Sequence, residues 1–344
     1  MSKILVTGGA GFIGSHTAVE LINSGFTPVI VDNFCNSHQS VIDRIENIAN
    51  QSVVWYDLDC TDEVALRQVF LDHPELQGAI HFAAHKAVGE SVQFPLKYYH
   101  NNINSLVVLT RLMNEFGVRN LVFSSSCTVY GQPDILPVTE STEMQEAQSP
   151  YGFTKQVCER LLNDLRKGDS NQVSAVLLRY FNPIGAHPSG LIGELPLGVP
   201  ENLIPYITQT AVGLRSNLTV FGTDYDTADG TCVRDYIHVV DLAKAHVQAL
   251  KYLAANEISC QAFNLGTGHG NSVLEVIKAF EKVSNTKLNF ALGARRPGDV
   301  EKIYASAHKA NTELNWSTQL TLEDALTDAW NWQLKLHETA TAQD

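Results

Sequence analysis

Lys3-Ile4-Leu5-Val6-Thr7-Gly8-Gly9-Ala10-Gly11-Phe12-Ile13-Gly14 joins a short apolar run to an apolar-periodic segment through a cluster of glycines. Residues 3–7 read as a strand, and 12–23 as a helix stopped by Ser24-Gly25. Glycines at 8, 11 and 14 let the backbone turn tightly and approach a pyrophosphate at the helix N-terminus, where free N–H groups and the helix dipole favour anions. Outward from this turn, apolar runs at 28–31, 53–56, 79–83, 120–124 and 173–180 alternate with helical patterns at 40–49, 63–70, 104–116 and 150–166. That alternation predicts an α/β chain built on a doubly wound parallel sheet. The second run ends in Val31-Asp32-Asn33, at the distance from the glycines where an acidic residue meets the adenosine ribose. A carboxylate there accepts from the 2′- and 3′-hydroxyls and repels a 2′-phosphate, so Asp32 argues for NAD over NADP. Asp59, after the third run, is placed to reach the adenine edge.

A chain of 344 residues has room for two domains, or for one large α/β domain with an appended lobe. Its texture changes after Tyr180, where Pro183, Pro188, Pro196, Pro200 and Pro205 mingle with Gly185, Gly190, Gly193 and Gly198. The expected division is a dinucleotide-binding domain over 1–181 and a mainly ligand-covering, irregular lobe over 182–344. Residues 236–268 can return to the first domain, and both 263–266 and the helical pattern 274–283 can belong to either unit. A terminal helix is expected over 322–336, with a loose polar tail after His337.

A formal charge of −13 argues against nucleic acid as a partner, because phosphate binding needs a surplus of Lys and Arg. Six cysteines without a Cys-x-x-Cys pair read as free thiols, and with no leader or long apolar run they suggest a cytoplasmic protein without membrane attachment. His81 and His85 are four apart, but on a strand-like run, and no cysteine or carboxylate completes a metal set.

Two further stretches carry chemistry. The fifth run ends Phe123-Ser124-Ser125-Ser126-Cys127-Thr128-Val129-Tyr130-Gly131, and ligands of open α/β sheets bind beyond the carboxyl ends of strands. About 25 residues on, Ser149-Pro150-Tyr151-Gly152-Phe153-Thr154-Lys155 offers a helix cap, a proline suited to the first helical position and then Tyr-x-x-x-Lys. Helical spacing stacks Tyr151 and Lys155 on one face. A free phenol has a pKa of about 10, and a neighbouring cation is expected to bring it down toward useful proton transfer.

The glycine loop, ribose-binding acid, strand-end serine and Tyr-Lys pair, in this order, resemble the extended short-chain dehydrogenase/reductase family. The resemblance runs nearly full length through TGGAGFIGSH, VDNFCNS, HFAAHKAVGESV, FSSSCTVYG, SPYGFTK, LRYFNPIGAHPSG, DGTCVRDYIHV and RRPGD, and is closest to the branch that inverts UDP-hexoses at C4. It implies a Rossmann-type sheet with a smaller, irregular α/β substrate-binding lobe, bound NAD, and interconversion of UDP-glucose and UDP-galactose. The route would be transient oxidation at C4, rotation of the 4-keto sugar and hydride return to its other face. By the same resemblance Ser126 and Thr128 hydrogen-bond around the sugar O4, Tyr151 is the acid/base, and Lys155 holds the nicotinamide ribose and tunes Tyr151. Phe12, Ile13, Asp32, Asn33, Phe34, Cys35, Asn36, Ser37, Asp59, Cys60, Phe82, Ala83, Ala84, His85, Lys86, Asn101 and Phe181 would line the NAD site. Lys86, Asn182, Asn202, Leu203, Thr219, Val220, Phe221, Arg234, Arg296 and Asp299 would hold the UDP-sugar, with the two arginines on the diphosphate. A homodimer through helices near 104–116 and 150–166 is also implied.

Two positions depart from the family pattern. Cys127 stands where relatives often carry alanine, and Ile303 takes the place of a gate beside the sugar's 2-substituent, intermediate between bulky tyrosine and small cysteine. Its size implies a preference for UDP-glucose and UDP-galactose over the N-acetylhexosamines. Related nucleotide-sugar 4,6-dehydratases place Asp-Glu directly after the strand-end hydroxyl; Cys127-Thr128 cannot do that work. A net NAD-dependent dehydrogenase or reductase, a 4-epimerase acting mainly on UDP-N-acetylhexosamines and a silent binding protein on the same fold are the rival readings.

Overall fold

Strand β1 (Lys3–Thr7) lies at the middle of a seven-stranded sheet, flanked by β2 (Thr27–Asp32) and β4 (Leu76–His81). The computed structural model describes residues 2–168, 173–256, 259–296 and 299–341. β3 (Val54–Asp57) closes one edge, and β5 (Asn120–Ser126) and β6 (Ser174–Tyr180) extend the other. A seventh strand, Cys260–Leu265, pairs with β6 and completes the sheet. Every pairing is parallel. The winding direction reverses between β1 and β4, which puts a crevice at their carboxyl ends.

Both faces of the sheet are covered, and strand alternation sorts the side chains between them. Leu5, Leu121, Phe123 and Leu177 face a core shared with the helices Glu63–Asp72, Asn104–Glu115 and Pro150–Lys167. Ile4, Val6, Val122, Val176 and Leu178 face the opposite core. There Phe12–Asn23 packs beside Val239–Ala255, a 17-residue helix that the sequence pattern did not disclose. Eleven of its residues are buried, and only a narrow stripe through Lys244, Gln248 and Lys251 reaches the surface. Its start is fixed by His238, whose Nδ1 accepts from the Val240 N–H at 3.0 Å.

The two ambiguous segments go different ways. Residues 263–265 end the seventh strand, with Phe263 opposite Leu178 and Asn264 opposite Arg179, and Gly266 follows it. The helix Val273–Ser284 stays outside the sheet: its Val276, Ile277 and Phe280 pack on Ala325, Leu326 and Ala329 of the terminal helix. That terminal helix continues to Thr341, so part of the expected loose tail is helical, and 342–344 lie outside the described residues. Short strand pairs, including Leu218–Phe221 with Phe290–Gly293 and Val233–Arg234 with Lys302–Ile303, complete the lobe. β5 runs two residues beyond its apolar stretch, making Ser126 the last residue of a sheet strand. Among the described residues no helix is long and apolar enough to cross a membrane.

Leu242, fully buried between sheet and helix, reports on the undisclosed helix. Leu242→Ala is expected to lower unfolding stability by about 2–5 kcal/mol in urea denaturation.

Candidate active site

The glycine loop crosses the crevice at the closest approach the backbone allows. Gly8 has φ +70°, and a Cβ there would stand 2.7 Å from the Ala83 nitrogen beyond β4. At Gly14 a Cβ would stand 2.2 Å from the Gly8 carbonyl oxygen, so the first helical turn packs directly on the loop. The result is a cradle of backbone N–H groups ahead of the Phe12–Asn23 helix, which fits a pyrophosphate. Phe12 stands edge-on to His16 at 5.3 Å between ring centres, and Ile13 packs with Phe82 on one core.

Asp32 is buried and ties this region together. Its Oδ2 accepts from the Ala10 N–H at 2.9 Å, and its Oδ1 accepts from the Phe34 N–H and the Ser37 hydroxyl, each at 2.9 Å. Burial raises its carboxyl above the ordinary range, against those three bonds. Phe34, at φ +52°, turns its ring edge-on to Trp55. Asn33 donates to Asp59 at 3.0 Å and accepts from the Cys35 N–H, while Cys35 and Asn36 are exposed. Cys60 is different: its side chain lies inside the core, leaving only its backbone for a ligand.

After β4 the backbone passes Ala83 and Ala84 to His85, which Asn102 clamps. The His85 N–H donates to Asn102 Oδ1 at 2.9 Å, and Asn102 Nδ2 donates to the His85 carbonyl at 3.0 Å and to Thr154 at 3.2 Å. Asn102 thus joins the dinucleotide loops to the catalytic helix, and the predicted Asn101 donates to it. Sequence reading missed Asn102; the paired asparagines inside a π-helical turn, Tyr99–Ile103, gave no indication of which one is buried.

The catalytic helix begins as its sequence requires. Ser149 accepts from the Gly152 N–H at 3.1 Å, and Pro150 takes the first position. Lys155 is buried; its ammonium donates to the Ser124 carbonyl at 2.6 Å and lies 4.9 Å from the Phe123 ring centre and 5.9 Å from that of Tyr151. Burial brings its pKa down to about 8. Tyr151 meets Ser126, whose Oγ also accepts from the Thr128 N–H at 3.2 Å. The expectation that Lys155 lowers the phenol is corrected here. Burial outweighs the Ser126 bond and pushes Tyr151 up to about 12. The Thr128 hydroxyl is buried without a hydrogen-bond partner. Burial likewise raises Cys127 to about 11, opposed by nearby Arg234.

The lobe brings the predicted nucleotide contacts to the same mouth. Arg234 lies in register with Ile303, and its Nη2 is 3.9 Å from Asp299. Arg296 pairs with the other Asp299 oxygen at 3.1 Å and sits 5.1 Å from the ring centre of Phe221, which is 40% exposed and open to stacking. Thr219 is half-buried, Val220 turns into the lobe core and partly buried Leu203 packs against it. Asn182 follows Phe181 and donates its N–H to the Asp235 carbonyl. Phe181 and Ile303 share a buried cluster with Val129, against which Cys127 packs. Lys86 and Asn202 converge on one oxygen of Glu194, at 3.1 and 2.5 Å. No motif pointed to Glu194. Pro297 and Gly298, within RRPGD, lie outside the described residues.

A dinucleotide cradle at the switch point, a Ser-Tyr-Lys group at the end of β5 and an arginine-lined lobe define the class: a nucleotide-sugar enzyme of the short-chain dehydrogenase/reductase type. A family model described as GDP-mannose 4,6 dehydratase matches residues 5–329. The UDP-glucose 4-epimerase of Bacillus subtilis (strain 168) is 52% identical over 330 residues, 96% of each chain. A crystal structure of the Bifidobacterium longum UDP-glucose 4-epimerase in complex with NAD+ and UDP superposes with a TM-score of 0.93 at 48% identity, covering 97% of this chain and 98% of that one. For the Stenotrophomonas maltophila enzyme, with bound NAD and formylated UDP-arabinopyranose, the values are 0.95, 46%, 98% and 100%. The chain belongs to the UDP-glucose 4-epimerase family.

The Gly14 contact makes the cradle testable. Gly14→Ala is expected to weaken dinucleotide retention by about tenfold or more, equivalent to about 1.4 kcal/mol. Nucleotide released on denaturation measures this, with circular dichroism showing that the fold persists.

Proposed function

We propose that the chain interconverts UDP-glucose and UDP-galactose, with NAD as a cofactor retained through the cycle. The observation that carries this is the Ser126-Tyr151-Lys155 group, its serine and lysine buried and its tyrosine half-buried, at the end of β5 beside the switch-point crevice in a member of this family. NAD supplies a hydride acceptor and, once reduced, the donor that returns the hydride to either face of a 4-keto sugar. Tyr151 takes the proton from the 4-hydroxyl on oxidation and gives it back on reduction, and Ser126 and Thr128 hold that oxygen. A phenol at about 12 is a poor base, so Lys155 and the bound cofactor must stabilise its phenolate when the site is filled. Arg234 and Arg296 bind the diphosphate, Phe221 stacks on uracil, and Asn182, Asn202 and Lys86 hold the sugar end.

The family model bears a dehydratase description, but Cys127 and Thr128 stand directly after Ser126, and neither a thiol at about 11 nor a hydroxyl replaces an acid-base carboxyl pair. Residues 1–181 with 236–268 form the NAD-binding domain, and 182–344 chiefly the UDP-sugar lobe. The chain works as a cytoplasmic homodimer. Exposed Phe94 (57%), Leu96 (79%) and Phe153 (48%) support this pairing, because Phe153 lies on the catalytic helix and meets Tyr99 from the neighbouring turns.

Incubation with UDP-galactose should yield UDP-glucose with no net absorbance change at the nicotinamide band. Stoichiometric consumption of NAD would instead identify a dehydrogenase. Tyr151→Phe should lower kcat by about 10²–10⁴-fold while NAD stays bound; near-normal turnover in that variant would remove the assigned acid/base. Ile303→Ala should raise the relative efficiency on UDP-N-acetylglucosamine, by about tenfold if one buried contact decides the matter. An unchanged ratio would mean that Ile303 is no gate.

A further inference from the structure

The face that carries Tyr151 and Lys155 continues one turn further to Glu159, only 2% exposed. Its Oε2 accepts from Arg179 Nη2 at 2.6 Å, and its Oε1 accepts from Arg179 Nε at 2.9 Å and from the Ser125 hydroxyl at 2.5 Å. Ser125 points to this side because strand side chains alternate; its neighbours Ser124 and Ser126 are the residues whose carbonyl and hydroxyl serve Lys155 and Tyr151. Arg179 reaches on, donating to the Tyr130 hydroxyl at 3.0 Å, which donates to Asn264 at 2.6 Å on the seventh strand. Asn264 in turn donates from its side-chain amide to the Val138 carbonyl and from its backbone N–H to the Glu140 carboxylate. One buried network thus links the catalytic helix, three sheet strands and the segment that follows Thr128.

We propose that Glu159 is a positioning residue for the reaction: bound by Arg179, its carboxylate fixes the strand end that carries Ser126 and supplies the buried negative charge facing Lys155.

The other groups around Lys155 do not provide that charge. On its own helix, burial raises Tyr151 to about 12 and Cys158 to about 11, so both are neutral at physiological pH. From β4, burial lowers His81 to about 3, leaving the imidazole uncharged. From β6, burial raises Tyr180, which bonds to the Ser124 hydroxyl. Burial opposes the Lys155 ammonium; Cys158 favours it only as a thiolate, which leaves Glu159 as the anion facing it at physiological pH. The proposal rests on the epimerase reading, and its test separates the two.

The pH dependence of UDP-galactose turnover is measured for the wild type, Glu159→Gln, Glu159→Asp and the double variant Glu159→Gln/Arg179→Gln. Glu159→Gln is expected to lower kcat by about tenfold with KM nearly unchanged, and to move the alkaline limb of kcat about one unit toward acid, because a lysine without its facing anion loses its proton at lower pH. Glu159→Asp should bring the limb back toward its wild-type position. If the single glutamine variant does not fold because Arg179 is left unpaired, the double variant has no unpaired charge and should show an acid shift in the same direction, smaller because the Arg179 cation is removed too. A wild-type alkaline limb in any folded variant without the carboxylate overturns the proposal. A wild type that fails to turn over UDP-galactose overturns the epimerase reading instead.

Discussion

The ammonium of Lys155 is 4% exposed, and burying it constrains everything around it. A buried charge is tolerated only when hydrogen-bonded or paired. Here the partner is a backbone carbonyl, Ser124, at 2.6 Å, with the Phe123 ring beneath. A backbone acceptor requires β5 to keep its register to the last residue, which is why the strand runs beyond its apolar stretch to Ser126. The helix must also start at a fixed height, and Ser149 and Pro150 set it. The positions of Ser126 and Tyr151 therefore follow from where the lysine can be buried.

The dinucleotide side has a comparable constraint in Asp32. Its three accepted bonds draw Ala10, Phe34 and Ser37 together, so the loop after β1 and the loop after β2 share one anchor. A ribose hydroxyl reaching Asp32 would join an acceptor already oriented by the protein, whereas a phosphate there would meet a carboxylate held in place. Asn102 does the corresponding work on the far side, fixing the His85 backbone and touching Thr154 on the catalytic helix. The two half-sites are mechanically continuous through side chains that touch neither reacting atom.

What was legible in the sequence is what local physics controls. The glycine turn, the capped helix start and the periodic strands each declare themselves within about a dozen residues. Val239–Ala255 declares itself less clearly, because Lys244, Gln248 and Lys251 form only a narrow exposed stripe and the buried polar residues Asp241 and His246 interrupt the apolar face. Asn102 and Glu194 act through partners as far as 52 and 108 positions away, and neither residue type betrays such a partner. The position of the Tyr151 phenol was misjudged for a related reason. Spacing placed a cation one turn away, but its distance from the ring and the depth of burial are tertiary quantities, and desolvation outweighed the rest.

The same contest between burial and pairing governs the lobe. Arg234 and Arg296 share one carboxylate, Asp299, beside an exposed aromatic ring. Asp299 keeps the two guanidinium groups from repelling one another. Glu194 has the same relation to Lys86 and Asn202, gathering donors from both sides of the cleft onto one oxygen. Pre-paired donors of this kind hold the side chains of this cleft in a defined arrangement, because each charged or amide donor is fixed by an acceptor on another segment.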